Sequence, residues 1–177
     1  MSAAGARTVW ESPLGPLTLV GSAAGALSAL RFPGSTPTVA TVAGNCEPFR
    51  EAIAQLEDYF GGRRRRFTLD LARDGTAFER EVWDRLCELP YATTISYGEL
   101  AARVGRPDRV RAVAGAVART PVPIVIPCHR VVASDGSLTG YLGGLERKAA
   151  LLSLEKEAFA GGTPEPPWAF RQEALAV

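Results

Sequence analysis

Residues 95–119 read ISYGELAARVGRPDRVRAVAGAVAR. Ser96 and Glu99 stand three apart, the spacing of a capping box in which Ser96 accepts from the third amide and Glu99 reaches back. The helix they open is predicted to run to about Val104, with Gly105 as its C-terminal cap. After Arg106-Pro107, Asp108 is predicted to cap a second helix reaching about Arg119. Thr120-Pro121 then forces the chain out of helical geometry. Two short helices joined by a tight Gly-containing turn make a helix-turn-helix candidate. Val110, Val113 and Val117 form the predicted buried stripe of its second helix. Ala112, Ala114 and Gly115 are small enough to let the backbone approach another surface, and Arg111 projects among them. Many such corners bind nothing, so the charge around this one matters.

Between Leu100 and Arg130 lie Arg103, Arg106, Arg109, Arg111, Arg119 and Arg130, against Asp108 alone. That excess is enough to steer toward an anion or a phosphate backbone; a solvated helix face is the other reading. The whole chain does not share it. Its 177 residues carry a net charge of +1, with 46% hydrophobic and 22% charged residues, the profile of one ordinary domain or two small ones sharing a core. Cys46, Cys87 and Cys128 are odd in number and form no CxxC pair, so no disulfide framework follows and a reducing, cytoplasmic location is expected. His129 is the single histidine, which leaves a conventional zinc site without its ligands. The N-terminus has no long apolar core, so neither a signal peptide nor a membrane span is expected.

Upstream, apolar residues at 16–20 and 26–32 around Gly21 and Gly25 suggest a hairpin. Phe49, Ile53, Leu56 and Phe60 recur at helical spacing, ended by Gly61-Gly62. Arg63–Arg66 reads as a solvated loop or a nucleic-acid contact. Residues 67–71 are predicted to form a strand, and Asp74-Gly75 a turn at a domain boundary. Phe78, Val82, Leu86 and Leu89 then define one apolar helical face, stopped by Pro90.

Residues 123–132, PIVIPCHRVV, place a cysteine beside the lone histidine. A free thiol with a pKa near ~8.5 is only about 3% thiolate at neutral pH, so a neighbouring base gains at most about thirty-fold in nucleophile population. The remainder must come from holding an electrophile in line. Adjacent residues of a strand face opposite ways, so Cys128 and His129 can cooperate only through a water or if the chain turns after Pro127. A buried, inert cysteine beside a hydrogen-bonded histidine is the other reading. Cys46 and Cys87 lack such a setting. Residues 140–144, GYLGG, form a loop whose aromatic suits stacking on a planar ligand or anchoring the loop, and a helix is predicted from about Glu146.

The segments SPLGPLTL, QLEDYFGG, GTAFEREVW, LPYATTISYGELA, RAVAGAV, PVPIVIPCHRVV and GYLGGLERKAALLSLE, in that order, closely resemble the O6-alkylguanine-DNA alkyltransferases. The resemblance spans roughly residues 9–156. It implies an α+β chain: an N-terminal domain of small β-sheet plus helix, RNase H-like, over 1–73; a helical domain with a winged-type helix-turn-helix over 74–157; and a Pro/Ala-rich, loosely ordered tail over 158–177. It implies a DNA repair protein that flips O6-alkylguanine, and also O4-alkylthymine, out of double-stranded DNA and transfers the alkyl group to Cys128, once, with no cofactor. His129 would take the thiol proton through a water, Glu155 would orient His129, and Tyr97 would donate to the leaving base. Arg111 would fill the gap in the base stack, with Ala112, Ala114 and Gly115 against the DNA. Tyr141, Pro123, Val131, Val117 and Leu142 would line the pocket, and the carbonyls of Cys128 and Val131 would read the guanine amino group. A monomer is implied, cooperative assembly on DNA being open. Two positions depart from the family pattern. Thr120 replaces an asparagine that ties the helix-turn-helix to the active-site segment, and Ala92 replaces a glycine. The alternative within the resemblance is a non-reacting, lesion-binding alkyltransferase-like protein; those proteins lack the cysteine.

Overall fold

The computed structural model describes residues 5–34 and 47–160. Three antiparallel strands come first: β1 (Arg7–Ser12), β2 (Gly15–Gly21) and β3 (Leu27–Arg31), in the order β1-β2-β3. Strand β1 was not expected. Its hairpin with β2 is closed by Ser12-Pro13-Leu14-Gly15, where Gly15 takes a φ of +96° that a side chain would resist. Leu17 and Leu19 alternate inward and are fully buried against Leu56 and Tyr59 of the core, which belong to helix α1 (Arg50–Phe60).

The strand expected at 67–71 is reduced to one bridge between Leu27 and Leu71. The reason lies in Gln55 of α1. Its side-chain oxygen accepts from the Thr68 amide at 2.8 Å and its nitrogen donates to the Thr68 hydroxyl at 3.0 Å, so a side chain takes the place of a neighbouring strand. The arginine run is largely spoken for within the fold. Arg63 pairs with Asp58, and Arg65 stacks on Tyr91 and Phe159.

The second half is helical. Helix α2 (Ala77–Cys87) opens on a capping box of Thr76 with Glu79, a signal the sequence carried unread. Short strand β4 (Ile95–Ser96) pairs in parallel with β5 (Val131–Val132) and leads into α3 (Tyr97–Arg103). Ser96 and Glu99 make the expected box, and Gly105 follows α3 at a φ of +73°. Helix α4 (Val110–Ala118) starts from Arg109 with no side-chain cap. Asp108 is therefore not the cap: the Arg109 amide donates to the Arg106 carbonyl, and this tight turn brings Arg109, one residue later, to the helix start. The buried stripe of α4 is Val113, Ala116 and Val117; Val110 is 36% exposed. The Trp83 indole donates to the Ala116 carbonyl at 3.0 Å and locks α2 against α4.

Helix α5 (Leu145–Phe159) is the last element among the described residues. It runs into the stretch expected to be tail, because Phe159 and Ala158 pack on the core; the rest of that expected tail, from 161, and Cys46 lie outside the described residues. Among the described residues no helix is long and apolar enough to cross a membrane.

Candidate active site

The chain arrives at Cys128 through a contorted segment. Pro121, Pro123 and Pro127 restrict it, the Ile126 amide donates to the Val122 carbonyl at 2.9 Å, and Ile124 takes a φ of +76° while 1% exposed. A β-branched residue holds that conformation only where its surroundings over-determine it. Cys128–Arg130 then form one 3-10 turn. The chain does turn after Pro127, so Cys128 and His129 are not on opposite faces of a strand.

Both are buried, Cys128 at 3% exposure and His129 at 0%. His129 Nε2 lies 2.7 Å from Glu155 Oε1, which assigns the ring proton to Nε2 and leaves Nδ1 with its lone pair. Nδ1 is buried and has no hydrogen-bond partner among the described residues. Burial pushes the imidazole below its ordinary pKa, against the pull of Glu155, so at neutral pH the ring is a neutral base. The thiol goes the other way: burial raises it to about 12, opposed by the Thr120 hydroxyl and the Lys148 ammonium. No standing thiolate exists at pH 7, and the proton must leave as the sulfur reacts.

Glu155, on α5, is saturated. Oε1 accepts from His129, from the Arg130 guanidinium at 2.8 Å and from the Tyr59 hydroxyl at 2.8 Å; Oε2 accepts from Arg130 Nε at 3.0 Å and the Ala92 amide at 3.0 Å. Burial raises its carboxyl, but His129 and Arg130 together outweigh that and keep it ionised. The Ala92 substitution is thus structural in consequence: Ala92 sits at a φ of +58°, the left-handed geometry that aims its amide at Glu155.

Lys148 is also fully buried. Its Nζ donates to the Val131 carbonyl at 2.6 Å and the Thr139 carbonyl at 2.8 Å. The Cys128 carbonyl accepts from the Val131 amide. Each of the two carbonyls expected to read a base therefore has one lone pair engaged and one left. Tyr97 is half-buried beside Thr139, and burial raises its hydroxyl, which stays protonated at neutral pH. Thr120, 4% exposed, donates to the Val117 carbonyl at 2.8 Å and lies beside the thiol. One hydroxyl thereby joins the end of α4 to the cysteine. Pro123, Val117 and Val131 are buried, and Tyr141 is half-buried with its ring 5.6 Å from Phe32, whereas Leu142 is 42% exposed at the loop tip.

The arginine excess divides in two. Arg130 is neutralised by Glu155 and Arg119 pairs with Glu79, while Arg103, Arg106, Arg109 and Arg111 are exposed on the helix-turn-helix. Ala112 is exposed beside them, and Ala114 and Gly115 are half-buried. Sequence reasoning missed Tyr59, Arg130, Lys148 and Thr139. Arg130 and Lys148 carried a signal, a charge inside an otherwise apolar segment and helix face; Tyr59 and Thr139 carried none.

Residues 77–157 match the 6-O-methylguanine DNA methyltransferase DNA-binding domain, and residues 6–72 match the ribonuclease-like domain of the same methyltransferase. The chain belongs to the 6-O-methylguanine DNA methyltransferase family. It is 47% identical over 149 residues to a methylated-DNA–protein-cysteine methyltransferase of Methanosarcina barkeri, covering 82% of this chain and 94% of that one. A protein of the same description from Mycobacterium leprae is 44% identical over 148 residues, 82% of this chain and 89% of its own. Among solved structures, Mycobacterium tuberculosis OGT in complex with DNA superposes with a TM-score of 0.77 at 41% identity, covering 86% of this chain and 93% of that one. The small sheet with helix followed by a helical domain is the family architecture.

Proposed function

We propose that this member of the family repairs double-stranded DNA by taking the alkyl group of O6-alkylguanine, and of O4-alkylthymine, onto Cys128. Cys128 Sγ attacks the alkyl carbon and the carbon–oxygen bond of the base breaks. The thiol proton passes through a water to His129 Nδ1, and the Tyr97 hydroxyl supplies a proton to the departing base, to be replaced from solvent. Glu155 stabilises the imidazolium that forms. The product is a thioether, a stable bond that no group among the described residues is placed to cleave, so each molecule reacts once.

The observation that carries this reading is the buried thiol next to a histidine whose Nδ1 is unpartnered and whose Nε2 is held by a carboxylate. A base within an intact duplex does not reach the thiol of a cysteine that is 3% exposed, so the nucleotide must swing out of the stack, at a cost of a few kcal/mol. Arg111, exposed on α4, fills the gap it leaves, and Arg103, Arg106 and Arg109 meet phosphates. The small residues Ala112, Ala114 and Gly115 let α4 lie close to the DNA. Pro123, Val117, Val131, Tyr141 and Leu142 receive the flipped base. The protein acts as a monomer in the cytoplasm, a compartment that suits the free thiols of Cys87 and Cys128.

Intact-protein and peptide mass spectrometry after incubation with a duplex holding one O6-methylguanine tests it. One added methyl on the Cys128 peptide, stopping at one per molecule, is expected. An unmodified protein that still shifts the duplex in a gel would make the chain a lesion binder instead.

A further inference from the structure

Tyr59 lies on α1, in the sheet-bearing half of the chain, 96 residues from the carboxylate it touches. It has no solvent exposure. Its ring is fixed by Phe60, Phe67 and Tyr91, with centroids at 5.5, 5.3 and 6.2 Å. Its hydroxyl donates to Glu155 Oε1 at 2.8 Å and stands 3.5 Å from His129 Nε2, flanking the bond between the two.

We propose that Tyr59 is a positioning residue of the proton relay, setting how strongly Glu155 holds and charges His129. The N-terminal half then belongs to the reaction machinery and is not only a support for it. This rests on the reading of His129 as the group that takes the thiol proton.

The argument is one of sharing. Glu155 Oε1 is bonded by His129, Arg130 and Tyr59 at once, and each donor that draws on the oxygen leaves less negative charge for the others. Arg130 is fixed by its own second bond to the Leu89 carbonyl at 2.7 Å. Tyr59 is the donor that stays neutral throughout the relay, and burial with the nearby Glu155 charge keeps its proton in place far above neutral pH. A hydroxyl brought into a core needs a partner, and the neighbouring Phe60 shows that this part of the core is also filled by a ring without one. The titratable groups that act on the imidazole are Glu155 and Lys148 of α5 and Arg130 beside it in the chain, with the Tyr59 hydroxyl of α1 at 3.5 Å and the Cys128 thiol adjacent. Tyr59→Phe changes only one of them.

Because His129 is the single histidine of the chain, its imidazole nitrogens are followed without ambiguity by NMR in a tag-free protein. Tyr59→Phe is expected to return charge to Oε1, strengthen its hold on the imidazolium and raise the His129 midpoint by about half a pH unit or more. Phe67→Leu, which loosens the packing beside Tyr59 and keeps the hydroxyl, is expected to leave the midpoint where it is. In parallel, the first-order rate of methyl transfer, normalised to the active fraction, should rise by about two- to threefold in Tyr59→Phe, because a more basic His129 takes the thiol proton more readily. Identical titrations in Tyr59→Phe and the unaltered chain would overturn the inference, as would an equal shift in Phe67→Leu. A shifted midpoint in a chain that never becomes alkylated would support Tyr59 in the relay and place the failure in the reading of Cys128.

Discussion

His129 Nε2 and Glu155 Oε1 are 2.7 Å apart, and neither residue is exposed to solvent. The pair is held by Arg130, which engages both carboxylate oxygens. Glu155→Gln keeps the shape and removes the charge. Arg130 then becomes a buried cation without its counter-ion, which costs about 3 kcal/mol or more, and His129 loses the group that stabilises its charged form. Methyl transfer should slow by about 100-fold in the molecules that remain folded. Denaturant melts and single-turnover kinetics measure the two effects separately; unchanged kinetics would remove Glu155 from the reaction.

Acid and alkali should each destabilise the fold, for different residues. The pKa of His129 is lowered by burial, so as pH drops through about 6.5 the unfolded chain takes up a proton that the folded chain refuses, and stability falls. Burial raises the Glu155 carboxyl, but His129 and Arg130 prevail and depress it; its contribution is whole above the unfolded value near ~4.5 and is lost as pH falls toward the folded one. At the other end, Cys128 is raised to about 12. Above about pH 8.5 the unfolded thiol ionises while the folded one does not, and stability falls again. Thermal midpoints should therefore peak near neutrality. The transfer rate should cross pH 8.5 without the rise that a titrating exposed thiol would give; such a rise would mean that the thiolate forms before the substrate arrives.

At position 120 one hydroxyl couples two parts of the site. It donates to the Val117 carbonyl at the end of α4 and lies beside the Cys128 thiol, lowering its pKa. Thr120→Val retains the branching and loses both. The fold should lose about 1 kcal/mol and transfer should slow several-fold, with duplex binding unchanged. Equal rates in the two proteins would mean that α4 and the cysteine are coupled by packing alone.

Much of this arrangement was legible in the sequence because it is local. The Ser96–Glu99 box, the glycine after α3 and the cysteine–histidine pair are all contained within a few residues, and so are their physical causes. What was not legible depends on contacts across the chain. Gln55 displaces a strand at Thr68 from thirteen residues away, and Tyr59 meets Glu155 from the other half of the molecule. Val110 obeys helical spacing and is still exposed, because α4 begins at Arg109 and presents its first turn outward. Periodicity defines a face but not which residues of that face another element covers.

Ala92 occupies left-handed backbone at a φ of +58° while its amide holds Glu155. That geometry costs a residue with a Cβ about 1 kcal/mol, and glycine returns part of the gain by loosening the unfolded chain. Ala92→Gly should raise stability by roughly 0.5 kcal/mol, about 1–2 °C in thermal midpoint, and leave transfer unchanged. A lowered midpoint would show that the turn is unstrained as it stands.

Gly115 distinguishes the needs of the fold from those of the partner. A Cβ at this position of α4 would meet nothing closer than the Arg119 guanidinium, at 3.4 Å, the far end of a flexible side chain that can shift. Nothing among the described residues therefore asks for glycine, and in a helix interior glycine is about 1 kcal/mol worse than alanine. The exposed arginines flank the same surface. If α4 lies against DNA, the missing methyl is room for the phosphodiester backbone or a groove edge. Gly115→Ala should then move two measurements in opposite directions: the thermal midpoint up by about 2–4 °C and the affinity for duplex down several-fold. Alkylation of Cys128 by a free O6-alkylguanine base, which needs no duplex, should be unaffected. A variant that is more stable and binds duplex as well as before would take α4 away from the DNA interface.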